Sequence, residues 1–209
     1  ITRLSGLANL GNTCYINSCF QILSHLDELN GIFTEKTSLN DLNDSVVVIE
    51  YNNLRELLFK KNCIVAPNRF INFVQKVAGE KNRELFTGFA QNDVTEFITF
   101  LIECFHNSIK RKVNINVNGD KKNKKDELAI CCYNKLKDLY SNDYSEIIHL
   151  FYGITVSELK SVRDLSELSL TCESFCNLSL PIPVDKPVCS IYECFELFTS
   201  NIYTRNTIA

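Results

Sequence analysis

One cysteine of the ten in this chain stands in a setting suited to acyl transfer. Cys14 lies in the stretch GLANLGNTCYINSCFQIL, residues 6–23, between a segment dense in glycine and asparagine and the start of an apolar pattern. Most cysteines in soluble proteins are small buried apolar residues, and Cys19, Cys104 and Cys194, each within an apolar-periodic run, fit that role. Cys14 differs because its neighbours supply further parts of a hydrolytic site. Gly6 and Gly11 permit a tight turn, and Asn9, five residues upstream, offers an amide that can donate to a developing oxyanion. The chemistry this suggests is nucleophilic attack by a thiolate.

The element that must position the thiol is a helix. Ile16, Cys19, Phe20, Leu23 and Leu26 recur at helical spacing, and Asn12 and Thr13 are both good N-cap types. The helix is expected to start at Thr13 or Cys14, which places Cys14 in the first turn. There the unpaired backbone N–H groups and the positive dipole end favour an anion. Three further amphipathic helices follow. One carries Val47, Tyr51, Leu54 and Leu58 on one face, with Asp44 or Ser45 as its cap. The next begins near Pro67 and aligns Phe70, Phe73, Val74 and Val77. In the third, within GFAQNDVTEFITFLIECFHNSI, Val94, Phe97, Ile98, Leu101, Ile102 and Phe105 form a broad stripe. Asn92 is its expected cap, with Asp93 and Glu96 in the first turn.

Residues 114–126 are polar and read as a loop, with helices expected at 127–139 and 144–151. Beyond Gly153 the period changes. ITVSEL alternates, and ELSLTCESFCNLSLPIP carries Leu168, Leu170, Cys172, Phe175, Leu178 and Leu180 ahead of Pro181 and Pro183. This predicts an antiparallel pair of strands, and a short last helix is expected near 190–198. A helical lobe leading into a β lobe is an α+β arrangement, with the cleft between lobes as the natural active-site position.

The composition excludes several classes. A net charge of −3 argues against a nucleic-acid binder, and the basic run KKNKK at 121–125, flanked by acids, reads as a solvated loop. No apolar stretch is long enough to span a bilayer and no signal peptide opens the chain, so no membrane partner is expected. The cysteines lack the spacing of a disulfide framework, which favours a reducing compartment, cytoplasm or nucleus. No C-x-x-C pair exists, so no zinc and no other cofactor is expected.

GLANLGNTCYINS resembles the cysteine box of the ubiquitin-specific protease family of deubiquitinating enzymes. QNDVTEF, residues 91–97, is similar to that family's Q-x-D-x-x-E-F segment, and LFYG followed by FCNLSLPIP resembles its palm and finger strands. The resemblance covers nearly the whole chain. It implies a papain-like fold, with residues 1–152 as the helical thumb-like lobe and 153–209 as the start of palm and fingers. It further implies that Cys14 is the nucleophile, that Asn9 is the oxyanion donor, and that Gln91 and Asp93 line the channel for ubiquitin's C-terminal tail. For Asp93 the residues alone leave helix capping as an equal reading. Ubiquitin and ubiquitinated proteins are the implied partners, and the reaction is cleavage after ubiquitin's C-terminal glycine through a Cys14 thioester.

The match has one large gap. The family's base is a histidine in a GHY-type box on a late strand, and His25, His106 and His149 all fall within expected helices. The base is therefore expected from sequence beyond residue 209, and residues 1–209 alone are expected to be inactive. The alternatives are a catalytically inactive ubiquitin-binding relative and a papain-like enzyme of another family. The second of these lacks support from residues 91–97.

Overall fold

The computed structural model describes residues 5–33, 37–40, 42–60, 62–164, 167–184 and 186–200. The chain forms two units, Ile1–Cys176 and Asn177–Ala209. Within the first, α1 (Cys14–Ser24), α2 (Asp27–Ile32), α3 (Asp44–Lys60), α4 (Asn68–Glu80) and α5 (Val94–Ile109) turn their apolar stripes into one core. Aromatic rings form its centre. Phe20 meets Tyr51 at 5.1 Å and Phe70 at 5.2 Å, and Phe105 meets Tyr51 and Phe33 at 5.1 and 5.2 Å. Each fully buried ring of this kind contributes about 1.5–3 kcal/mol through its burial.

The helical periodicities are realised with local exceptions. All four expected residues of α3 are buried, as are Phe70, Val74 and Val77 of α4. Phe73 is half-buried, and Ile71 and Ala78 take the core positions beside it. In α5, Phe97, Leu101, Ile102 and Phe105 are buried, whereas Val94 stays 45% exposed. The stripe of α1 ends at Leu23: His25 closes the helix, and Leu26 becomes the N-cap of α2 instead of continuing α1.

Two small sheets flank this core. β1 (Gly6–Leu7) pairs in parallel with β2 (Ile64–Val65). β3 (Gly153–Lys160) and β4 (Glu167–Phe175) form the expected antiparallel pair, with an irregularity between Leu159 and Lys160. Strand pairing stops at Phe175, short of Leu178 and Leu180. Phe175 already faces Gly153, and the residue before Gly153 is Tyr152, which ends helix α7 (Glu146–Phe151), so no partner edge remains. The Phe175 ring lies so close over Gly153 that a Cβ there would come within 2.6 Å of it.

Helix α6 (Lys124–Asn142) begins earlier than expected because Asn123 and Asp126 make a reciprocal capping box. A disulfide between Cys131 of α6 and Cys172 of β4 joins this helix to the hairpin. The sequence shows no framework spacing, and this bond pairs residues 41 positions apart. The hairpin thus belongs to the first unit, and the division of the chain falls after Cys176.

In the second unit α8 (Ile191–Phe198) is capped by Ser190 and Glu193, near the helix expected at 190–198. Among the described residues no helix is long and apolar enough to cross a membrane.

Candidate active site

The turn before α1 is closed by its own side chains. Asn9 Oδ1 accepts from the Gly11 N–H at 3.1 Å, the Thr13 N–H at 3.2 Å and the Thr13 hydroxyl at 3.1 Å. Thr13 Oγ1 in turn accepts from the Leu10 N–H at 3.1 Å. Gly11 and Asn12 take left-handed backbone, φ +104° and +52°, which glycine and asparagine tolerate best. The type of each partner fixes the Asn9 amide: three donors surround one end, so that end is oxygen. Asn9 is an exposed residue, and with Oδ1 held in this way Nδ2 is the end of the amide that keeps protons to donate.

Helix α1 then starts at Cys14, and its N-cap, Thr13, makes no side-chain cap bond. The Thr13 hydroxyl is already used in the preceding turn. The first-turn N–H groups are therefore not covered by a cap, and Cys14 is exposed at their head. The neighbouring thiols are in different states. Cys19 is buried, points at the Val94 carbonyl (3.8 Å) and has its pKa pushed up to about 11 by burial. Burial also raises Cys104 and Cys176. Of these thiols, Cys14 alone is exposed.

The segment at 91–97 is tied to this turn. Asn12 Nδ2 donates to the Phe89 carbonyl at 3.0 Å. Asn92 Nδ2 donates to the Tyr15 hydroxyl at 3.1 Å and to the carbonyls of Leu85 and Ala90 at 2.7 and 3.1 Å. Beneath these bonds Tyr15 packs edge-on against Phe97 at 5.1 Å, and Phe97 against Phe86 at 5.5 Å. Burial raises the Tyr15 pKa despite the bond from Asn92, so Tyr15 stays a neutral phenol beside the thiol.

The cap of α5 is Asp93 and not Asn92. Asp93 Oδ1 accepts from the N–H groups of Thr95 (2.7 Å) and Glu96 (3.1 Å). Asn92, one residue before that cap, binds Tyr15, Leu85 and Ala90 through Nδ2 instead. Gln91 and Asp93 are both exposed at this helix start. Capping uses Oδ1 of Asp93 and fixes the carboxylate, which does not prevent Oδ2 from accepting a further bond.

No histidine completes the constellation among the described residues. His25 closes the far end of α1, eleven residues from Cys14 and so roughly 16 Å along the helix. His106, on α5, meets the buried Ser145 hydroxyl at 2.7 Å, and burial followed by Lys110 lowers its pKa. His149 is exposed on α7 with the Tyr140 hydroxyl 3.5 Å from its Nδ1. Among the described residues no cluster of three or more His, Cys, Asp or Glu side chains is placed to hold a metal.

Residues 5–167 match the family model described as ubiquitin carboxyl-terminal hydrolase. The chain is 30% identical over 208 residues to human ubiquitin carboxyl-terminal hydrolase 2, covering 94% of this chain and 33% of that protein. It is 31% identical over 195 residues to bovine ubiquitin carboxyl-terminal hydrolase 15, covering 88% of this chain and 19% of that protein. The chain thus spans a third or less of the length of these relatives. Its fold is similar to a solved structure of the SAGA DUB module Ubp8/Sgf11/Sus1/Sgf73 bound to monoubiquitin, with a TM-score of 0.60 and 20% identity. That match covers 99% of this chain and 43% of the other, and it assigns the α+β, papain-like architecture.

Proposed function

The chain belongs to the ubiquitin carboxyl-terminal hydrolase family, and from that premise we propose that it carries the nucleophile half of a thiol protease that cleaves after the C-terminal glycine of ubiquitin. One observation carries this reading. An exposed Cys14 heads a helix without a side-chain cap, directly after a turn in which the Asn9 amide oxygen is anchored to Gly11 and Thr13.

In this mechanism Cys14 Sγ attacks the carbonyl carbon of ubiquitin's terminal glycine. Asn9 Nδ2 and backbone N–H groups at the start of α1 stabilise the oxyanion. Collapse breaks the C–N bond, expels the amine and leaves a thioester on Cys14. Water then attacks the thioester, releasing the ubiquitin carboxylate and restoring the thiol. A histidine from sequence outside residues 1–209 takes the thiol proton and delivers it to the leaving amine. Gln91 and Asp93 line the channel for the extended ubiquitin tail, and the capping bonds of Asp93 hold its carboxylate in place. Residues 1–152 act as the thumb and 153–209 as the start of palm and fingers. Ubiquitin and ubiquitinated proteins are the partners, in the cytoplasm or nucleus, with no nucleic acid, membrane or cofactor. The monoubiquitin held by the structural relative supports the choice of partner.

The test uses the full-length protein and a ubiquitin bearing a C-terminal electrophile. Labelling is expected in wild type and in Cys19→Ala and lost in Cys14→Ala; equal labelling of the two variants overturns the assignment. On a ubiquitin–fluorophore substrate, Asn9→Ala is expected to lose about 2–4 kcal/mol of transition-state stabilisation, and residues 1–209 alone should show no steady turnover. A second reading is a catalytically inactive ubiquitin-binding relative that keeps the cleft without the base. Full-length protein that binds ubiquitin but never turns it over would select it.

A further inference from the structure

Asn17 lies one turn beyond Cys14 on α1 and has no place in the nucleophile–oxyanion pair. Its Nδ2 donates to the Ala8 carbonyl at 3.1 Å. The partner only accepts, so the nitrogen end of the amide must face it. Four residues on, along the same side of the helix, Gln21 Nε2 donates to the Ser5 carbonyl at 3.1 Å. The same short segment is held on its other edge by β2. The Gly6 N–H donates to the Cys63 carbonyl at 3.0 Å, and the Ala8 N–H to the Val65 carbonyl at 2.9 Å. Residues 5–8 are thus gripped between a parallel strand and two side-chain amides of the helix that carries the thiol.

The other end of Asn17 sharpens the point. Oδ1 is buried and has no hydrogen-bond partner among the described residues. A buried acceptor without a partner is destabilising, and an apolar side chain of similar shape would avoid that penalty. The bond from Nδ2 to Ala8 is the hydrogen bond this side chain makes among the described residues. That bond fixes the peptide joining Ala8 to Asn9. The intraloop bonds of Asn9 set how its amide is rotated. They tie its side chain to Gly11 and to Thr13, the residue before Cys14, while the bond from Asn17 holds the backbone on the other side of the amide.

We propose that Asn17 is a positioning residue, which clamps the Ala8–Asn9 peptide to α1 and so sets the Asn9 amide at the right place relative to the Cys14 sulfur. This rests on the reading of Cys14 as nucleophile and Asn9 as oxyanion donor. An oxyanion donor works only at hydrogen-bond distance from the position the oxygen takes in the transition state. Loss of the clamp removes the backbone anchor of Asn9 and leaves only its side-chain bonds to Gly11 and Thr13, with the thiol and substrate surface in place.

The test is a mutant cycle in the full-length protein, with ubiquitin–aminocoumarin as substrate. Asn17→Leu is expected to lower kcat about 10- to 100-fold, the scale of a displacement near 1 Å in a catalytic group, with KM within about twofold. Affinity for ubiquitin aldehyde, whose adduct needs the oxyanion site, should fall with kcat. Alkylation of Cys14 by iodoacetamide should not change. The double variant Asn9→Ala/Asn17→Leu should be no slower than Asn9→Ala, because both remove the same interaction. A double variant that falls by the product of the single effects overturns the proposal, as does an unchanged kcat in Asn17→Leu. Should Asn17→Leu fail to fold by circular dichroism, Asn17→Ser, too short to reach Ala8, is read by the same criteria. Wild type that never turns over overturns the deubiquitinase reading underneath. Active wild type impaired by Asn9→Ala but not by Asn17→Leu overturns the positioning role alone.

Discussion

Helix α1 buries six of its eleven residues and has no side-chain cap, whereas α6 runs for nineteen residues, buries none of those described, and opens with a complete capping box. The first is held by packing: Phe20 is inaccessible to solvent and touches two other aromatic rings. The second is held by local bonds at Asn123 and by the Cys131–Cys172 link to β4. The difference bears on function. A helix fixed by its buried face can leave its N-terminal N–H groups uncovered, and those are the groups an acyl-transfer site needs. A helix that relies on its cap cannot.

The sharpest way to break this comparison is to remove one side chain from each helix in the full-length protein. Phe20→Ala is expected to cost about 3–5 kcal/mol in denaturant unfolding. Leu136→Ala, half-buried on α6, should cost only about 1 kcal/mol. Equal losses would mean that α1 is not the packed element described.

A smaller effect concerns the cross-link. Compared with oxidised wild type, in buffer without reductant, Cys172→Ser opens a loop of 41 residues' separation and is expected to cost about 2–4 kcal/mol; with reductant present the two should not differ by this amount. Faster amide exchange should appear in α6 and the β3–β4 hairpin while α1 keeps its protection. Loosening of α1 to the same degree would show that the two regions do not rest on separate supports.

Asn123→Ala is expected to cost about 1 kcal/mol, seen as fraying of the first turn of α6. Unchanged exchange at Lys125 and Asp126, whose N–H groups bond to Asn123, would contradict the cap's importance.

The smallest expected effect is a pH dependence at the far end of α5. Burial, followed by Lys110, lowers the His106 pKa from 6.5, against weaker opposing effects of Asp143 and Glu103. The folded state therefore binds this proton less readily than the unfolded chain does. Stability should fall as pH drops below the unfolded value, and it should be complete above that value. Unfolding measured from pH 7.5 down towards 5.5 should show this slope in wild type and a shallower one in His106→Asn. Identical slopes would remove His106 as the cause.

Much of the fold was legible in the chain because periodicity and cap chemistry are local. The stripes of α3, α4 and α5 follow spacings of three and four. The hairpin follows a change of period after Gly153, and a short helix near 190–198 was expected where α8 lies. The approximate start of α1 was legible for the same reason: a Gly- and Asn-rich turn runs directly into an apolar repeat. Legibility failed where two suitable residue types stood side by side. Asn92 and Asp93 can both cap a helix; Asp93 does so, while the Asn92 amide donates to Tyr15, 77 residues before it.

The sequence by itself determined that Cys14 heads an amphipathic helix behind a turn rich in asparagine and glycine, and it placed Asn9 five residues away. These are properties of neighbours within one or two turns of chain. Only the tertiary structure decided that Thr13 closes the turn instead of capping the helix, that Asn17 reaches back to Ala8, and that Cys131 meets Cys172. Each of these depends on where a side chain points or on which distant segment folds against it. A polar residue on a helix carries no mark of whether it faces water or a carbonyl. That is settled only when β1 is fixed between β2 and α1.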